Sequence, residues 1–217
     1  MRMRKKKHGE ERLAACGDLL LTLPEAPMTD PATVFARDVG VYLEIGCGKG
    51  DFACGMAAKH PERAFIAMEK VSDVLVLAAE KAIRAADTRP DNLRFIRGDA
   101  RDLAAWFAPN TLAGLYLNFS DPWPKAGHAK RRLTHRGFLT VYFDLLKAGG
   151  TFALKTDNAA LFAFTLEELT ALGHTPDFVT EDLHASAEAE GNVMTEYERN
   201  FSSQGMPIYA LRLTVKK

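Results

Sequence analysis

The segment Glu44-Ile45-Gly46-Cys47-Gly48-Lys49-Gly50 sets three alternating glycines behind a carboxylate. Glycines let a backbone turn sharply and approach a ligand with no Cβ in the way, and a helix starting behind them offers unpaired amides. The G-x-G-x-G spacing is not the G-x-G-x-x-G of a dinucleotide site. A carboxylate two residues ahead of the first glycine suits a cationic group, such as the ammonium of a bound amino acid. Glu69 ends the next apolar run, 19 residues after Gly50, where an acid accepts both hydroxyls of a ribose. Gly98-Asp99-Ala100 ends a third run and could receive the exocyclic amine of adenine, although Gly-Asp is also ordinary turn chemistry. Ammonium, ribose and adenine together describe S-adenosylmethionine. A nicotinamide cofactor matches only the ribose acid.

A fourth tip, Asn118-Phe119-Ser120-Asp121-Pro122-Trp123-Pro124-Lys125, is stiffened by two prolines, which fix their own φ and restrict Asp121 and Trp123. It presents a carboxylate, an indole and an ammonium together. Trp123 either stacks on a base or the cofactor, or plugs the sheet end. Lys125, Lys130, Arg131, Arg132 and Arg136 against Asp121 give net +4 over residues 121–136, a density that reads as a phosphate-contact surface. These cations gain nothing from the positive end of the helix expected to follow. A fifth tip carries Lys155-Thr156-Asp157-Asn158, in which Asp157-Asn158 also fits a helix cap. Thr195 and Glu198 have capping-box spacing; their hydroxyl and carboxylate, if exposed, could equally meet a guanine edge.

Positioning five such tips calls for strands alternating with helices. Apolar runs at Val41–Ile45, Arg63–Glu69, Leu93–Ile96, Leu112–Phe119 and Thr151–Lys155 read as strands. Helical patterns at Asp51–Lys59, Val71–Ala86, Leu133–Leu146 and Ala159–Leu172 lie between and after them. The imperfect alternation over Pro207–Val215 reads as an added edge strand. The fold class is α/β, a Rossmann-like parallel sheet with helices on both faces, whose ligands bind at the carboxyl ends of the strands. Residues 1–35 are read as a basic tail and leading segment, and 36–217 as a single catalytic domain.

A length of 217 residues with 47% hydrophobic content supports a real core. The net charge of zero excludes a uniformly basic nucleic-acid coat protein, yet it is a sum of separated parts: +5 in residues 1–7, +4 in 121–136, −6 in 181–198 and −3 elsewhere. Three cysteines without C-x-x-C spacing speak against a disulfide framework or zinc knuckle, and the six scattered histidines suggest no metal. No apolar stretch reaches membrane-spanning length and no signal peptide is evident, so a cytoplasmic location is expected. A G-x-S-x-G nucleophile elbow is absent.

On the stretches YLEIGCGKGDF, MEK, GDA, LNFSDPWPKAGHAKRRLTHRGFL, LKTDN and TEYERNF, with the opening MRMRKK, the sequence resembles the bacterial tRNA (guanine-N7)-methyltransferase family. The resemblance covers almost the whole chain in order. It departs at Ala126 and Gly127, where the family is commonly more basic. It implies a class I methyltransferase with a seven-stranded, mostly parallel sheet that uses S-adenosylmethionine and no metal to methylate a variable-loop guanosine of tRNA. By the same resemblance Glu44, Gly46, Gly48, Gly50, Glu69, Asp99, Ala100 and Asp121 hold the cofactor, and Asp121 is also the catalytic candidate. Lys125, Asp157, Thr195, Glu196, Tyr197 and Glu198 hold the substrate, with RNA contacts at Lys130, Arg131 and Arg132. Neither a membrane nor an obligatory protein partner is expected, and the chain would act as a monomer or homodimer. Two other readings stand beside this one. An amino-group methyltransferase is disfavoured because the second proline follows the aromatic in Asp121-Pro122-Trp123-Pro124. An inactive RNA-binding module is disfavoured by the intact set of acids and glycines.

Overall fold

Strands buried on both faces need unbroken apolar runs rather than alternation, and those runs pair into one sheet in the computed structural model, which describes residues 6–85 and 90–217. The strands are β1 (Leu20–Leu21), β2 (Val41–Ile45), β3 (Ala64–Glu69), β4 (Leu93–Arg97), β5 (Leu112–Asn118), β6 (Leu146–Thr156), β7 (Phe178–Thr180) and β8 (Tyr209–Thr214). Their order is β1-β4-β3-β2-β5-β6-β8-β7, parallel except for β8, which runs antiparallel to both neighbours. The chain builds outward from β2 in one direction and from β5 in the other. The topological switch therefore lies between the carboxyl ends of β2 and β5.

The helices are α1 (Gly9–Ala14), α2 (Asp51–Lys59), α3 (Ser72–Arg84), α4 (Leu103–Trp106), α5 (Arg136–Leu145), α6 (Ala159–Ala171) and α7 (Glu196–Ser202). One face of the sheet packs Leu43, Ile66, Leu115 and Phe152 against Trp106, Tyr142 and Phe162 from α4, α5 and α6. The other packs Phe65, Ala67 and Phe95 against Phe52, Leu75 and Ala78 from α2 and α3. Leu13, Cys16 and Leu19 from the leading segment are buried in that second cluster, and Arg12 pairs with Glu80 of α3 at 2.8 Å. The first five residues of the basic run, and the end of the Val71–Ala86 pattern, lie outside the described residues. No helix among the described residues is long and apolar enough to cross a membrane.

Several boundaries differ from the sequence reading. Among the described residues the sheet has eight strands where the resemblance implies seven; the two-residue β1 beside β4 and the outer β7 are not among the runs read as strands. β8 is not the edge, because β7 pairs outside it; three residues with no apolar run gave no signal. The helix expected from Leu133 begins at Arg136, where His135 Nδ1 accepts from the Gly137 amide at 3.1 Å. The basic residues before it form their own 3-10 turn over Ala126–Arg131. β6 begins at Leu146, directly after α5, rather than at Thr151.

Candidate functional site

The glycine loop joins β2 to α2, and its three glycines all have positive φ, at 75°, 56° and 78°. They serve different ends. A Cβ on Gly46 or Gly48 would meet nothing within 4 Å, whereas one on Gly50 would lie 2.8 Å from the Cβ of Ala78. Gly46 and Gly48 thus open space toward the cleft, and Gly50 lets α3 approach. Gly50→Ala combines a left-handed penalty of about 1–2 kcal/mol with overpacking of about 1–3 kcal/mol. Gly46→Ala carries only the first. Denaturant titration is expected to show Gly50→Ala as the less stable variant by at least about 1 kcal/mol.

The glycine amides of the loop are already committed within the fold. Gly46 and Cys47 donate to the Met68 carbonyl at 2.8 and 3.0 Å, and Gly48 donates to Glu69 Oε2 at 3.1 Å. A pyrophosphate cradle is therefore not what these glycines form, in keeping with the missing dinucleotide spacing. Glu69 is held at both oxygens, since Val71 N donates to Oε1 at 2.8 Å. Each oxygen keeps a second lone pair for a hydroxyl.

Glu44 lies beneath the loop, 4% exposed. Asn118 Nδ2, at the end of β5, donates to its Oε1 at 2.9 Å, while Oε2 is buried with no hydrogen-bond partner. Burial pushes this carboxyl up to about 7, against the pull of Asn118, the Lys155 ammonium and the Ala53 amide at the start of α2. An unpaired buried oxygen is costly, and an ammonium in the adjoining cavity would satisfy it.

Two cavities meet at this point. One, of about 550 Å³, runs past Gly46, Glu69, Asp99, Ala100, Asp121 and Trp123. The other, of about 400 Å³, lies between the glycine loop and α7 and is lined by Glu44, Gly48, Phe52, Thr195, Glu196 and Tyr197. Gly46, Asn118 and Phe119 belong to both. Asp99 caps its own turn through the Arg101 amide and is clamped by the Arg101 guanidinium at 2.8 Å and Lys70 at 2.7 Å. The Arg101 hydrogen bonds, more than Lys70, hold its carboxyl well below the usual range.

The tip after β5 is conformationally strained at both ends. Phe119 and Trp123 have φ of 53° and 41°, which non-glycine residues adopt only under constraint. Asp121 is thereby presented, exposed, on the cleft wall. Trp123 is half-buried in that wall rather than plugging the sheet. His128 stands edge-on to it at 5.7 Å, and the Arg131 guanidinium lies 5.0 Å from its ring centre.

The expected basic surface divides. Lys125, Lys130 and Arg131 are exposed. Arg132 instead donates to the Pro122 carbonyl at 3.0 Å and the Trp123 carbonyl at 3.2 Å, and lies 4.3 Å from the Phe164 ring centre. Its geometry is that of a brace for the Asp121 loop, not of an RNA contact. Arg136 pairs with Glu168 through two nitrogens, so it too has a reason for its place that involves no phosphate.

Asn158, not Asp157, caps α6, accepting from the Leu161 amide at 2.8 Å. Tyr197 stacks on Phe201 at 4.4 Å and meets Phe119 at 5.1 Å. Partial burial and then the charges of Asp157 and Asp121 raise its phenol above the ordinary value. The charges of two carboxylates from different strand tips thus reach this phenol. Glu196 pairs with Lys49 of the glycine loop at 2.8 Å. Arg199 pairs with Asp51, which also holds Lys81. These pairs fasten α7 across the first tip. Glu198, expected to meet substrate, is fully buried instead: its side chain completes the capping box with Thr195 and accepts from Lys155. Sequence reasoning assigned no role to Asn118, Lys70, Arg101 or Lys155. Asn118 and Lys155 carried the same signal, a polar residue ending an apolar strand.

Residues 38–211 match the family described as "Putative methyltransferase". The tRNA (guanine-N(7)-)-methyltransferase of Latilactobacillus sakei is 40% identical over 216 residues, covering 100% of both chains. That of Limosilactobacillus reuteri is 44% identical over 211 residues, 97% of this chain and 98% of its own. Among solved structures, 16S rRNA methyltransferase KamB superposes with a TM-score of 0.65 at 13% identity, covering 91% of this chain and 99% of its own. At that identity the likeness speaks for the fold, which is that of class I methyltransferases. With relatives of such identity along its whole length, this chain belongs to the tRNA (guanine-N(7)-)-methyltransferase family.

Proposed function

We propose that this chain methylates N7 of a guanosine in the variable loop of tRNA, with S-adenosylmethionine as methyl donor. The observation that carries the reading is the meeting of two cavities at Gly46, Asn118 and Phe119: one holds Glu44, with its unpartnered buried oxygen, beside Tyr197, and the other carries Asp121 with Glu69 and Asp99. Glu44 Oε2 would take the donor's ammonium, Gly46 and Gly48 would let its chain pass, Glu69 would accept the ribose hydroxyls, and Asp99 with Ala100 would meet the adenine. The donor supplies a methyl already activated by its sulfonium.

Guanine N7 has an available lone pair and no proton, so attack needs no general base. The chain's work is then placement and electrostatics. Tyr197, 46% exposed on its aromatic neighbours, offers a face for the base. Asp157 or Asp121 accepts from the guanine N1–H and amino group. Either carboxylate also lowers the energy of the positive charge that grows on the ring as the methyl arrives. Lys125, Lys130 and Arg131 take backbone phosphates beside the cleft.

The test incubates the protein with labelled S-adenosylmethionine and unmodified tRNA and maps the labelled base. Label at guanine N7 supports the reading; label elsewhere with none at N7 overturns it. The divided basic surface gives a second expectation. Replacing Lys125, Lys130 and Arg131 together by Ala should reduce the salt slope of tRNA binding by about 2–3. Replacing Arg132 should instead lower turnover by loosening the Asp121 loop, with the slope nearly unchanged.

A further inference from the structure

A polar row crosses the carboxyl ends of three strands and ends in α7. Glu44 of β2 is held by Asn118 of β5, and Asn118 sits in register with Lys155 of β6. Lys155 Nζ then meets Glu198 Oε2 of α7 at 2.6 Å. Lys155 is 8% exposed and Glu198 not at all. An ammonium has three protons, and Lys155 places all of them, on Glu198, on Asn192 Oδ1 at 3.0 Å and on the Val193 carbonyl at 2.9 Å. The remaining side of the ammonium faces the Phe52 ring, 4.9 Å from its centre, and Phe52 lines the cavity that contains Glu44.

Glu198 is equally committed. Its second oxygen accepts from Asn192 Nδ2, and His184 Nε2 lies 3.1 Å away. Its own amide donates to Thr195 Oγ1 at 2.8 Å, and its carboxylate reaches back to the Thr195 amide at 3.4 Å. A carboxylate with no exposed surface and this many partners has nothing left with which to touch a base. The α7 residues that do face the cavity are Thr195, Glu196, Tyr197 and Asn200. A seven-residue helix has little stability of its own, so its placement depends on such anchors.

We propose that Lys155 is a positioning residue for methyl transfer, anchoring α7 to the strand tips so that Tyr197 and Thr195 stand at a fixed place relative to the cofactor site, and that Glu198 acts on the substrate only through this anchor. The proposal rests on the methyl-transfer reading above and assigns Glu198 a part different from direct substrate contact.

A double-mutant cycle on the full chain tests it, using Lys155→Met and Glu198→Gln, with KM and kcat for tRNA measured alongside the dissociation constant for S-adenosylmethionine. Each single change is expected to lower kcat/KM for tRNA by roughly 10–100-fold, the worth of one charge-assisted hydrogen bond. The double variant should lose no more than the worse single. The cofactor dissociation constant of Glu198→Gln should stay within about threefold of wild type, a spread below 1 kcal/mol; a general loosening of the fold would raise it together with KM. Losses that multiply in the double variant would mean that Glu198 meets the substrate independently, and would overturn the proposal, as would an unchanged kcat/KM in both singles. Should either buried variant fail to fold, Asn192→Ala removes a half-exposed partner of both charges. It is expected to raise KM for tRNA about tenfold, the worth of one hydrogen bond, while the cofactor constant holds; no change in KM would overturn the proposal. Wild-type protein labelling guanine N7 is the control. Its failure would refute the methyl-transfer reading, whereas multiplying losses with an active wild type refute only the anchor.

Discussion

Asp121→Ala should lower kcat/KM for tRNA methylation by about 10²–10³ while leaving the thermal midpoint almost unchanged. The two halves of this expectation have separate causes. Asp121 is exposed, and surface changes away from caps and pairs shift stability by only about 0.5 kcal/mol. Its position, however, is enforced. Phe119 and Trp123 hold left-handed backbone on either side of it, at a cost of about 1–3 kcal/mol each that the surrounding structure must offset. Pro122 and Pro124 restrict the chain further, and Arg132 clamps the two intervening carbonyls. A fold that maintains strain to aim one carboxylate into a cleft loses little on removing the carboxylate and much of what the strain is for. Asp121→Asn separates charge from shape. If the carboxylate's role is to stabilise the cation growing on guanine, the Asn variant should be nearly as slow as the Ala variant in single-turnover assays. Near-wild-type transfer by Asp121→Ala would remove this residue from any essential role.

The sheet was legible because its strands are continuous apolar runs and its tips carry acids and glycines within a few residues of each run. The site was less so, because its decisive contacts join residues far apart in sequence. Asn118 and Glu44 are 74 positions apart, and Lys155 and Glu198 are 43 apart. Thr195 and Glu198 announced a capping box, which is local; that the box is sealed by a lysine from β6 is not written in the spacing. Charge density misled for the same reason. Five cations over residues 121–136 look alike in sequence, yet Arg132 and Arg136 find carbonyls and Glu168, leaving Lys125, Lys130 and Arg131 exposed. The glycines show the reverse case. One motif supplied three residues of equal standing, and only packing reveals that Gly50 answers to Ala78 and not to a ligand.

Glu44→Gln should cost the enzyme its cofactor and yet make the fold more stable at pH 8. Burial lifts the Glu44 carboxyl to about 7, above the unfolded value of about 4.5. For an acid raised on folding, the sign is adverse: the folded state holds the proton more tightly, so stability declines as pH rises from about 4.5 to about 7 and stays reduced above it. The full difference is about 3 kcal/mol. Gln never ionises and escapes this cost, but its amide leaves a buried N–H unpaired where Oε2 stood, a penalty of about 1–3 kcal/mol. The balance favours the variant by about 1 kcal/mol at pH 8, or roughly 2–4 °C in thermal midpoint, and the advantage should disappear by pH 5. Cofactor binding runs the other way. Losing a charge-assisted bond to the ammonium costs about 1.5–3 kcal/mol, roughly 10–100-fold in affinity. Below pH 7 that ammonium is already protonated, so wild-type affinity should follow ionisation of Glu44 and fall about tenfold from pH 7 to pH 5.5. Of the groups that act on this carboxyl, Asn118 and the Ala53 amide do not titrate, Lys155 stays paired with Glu198, and the Glu69 charge pushes in the same direction as burial. In the Gln variant the affinity should be low and flat across the same interval. Isothermal titration at the two pH values, with thermal melts at pH 5 and pH 8, checks both halves. A variant that binds S-adenosylmethionine as tightly as wild type would show that the buried carboxylate serves the sheet and not the ligand.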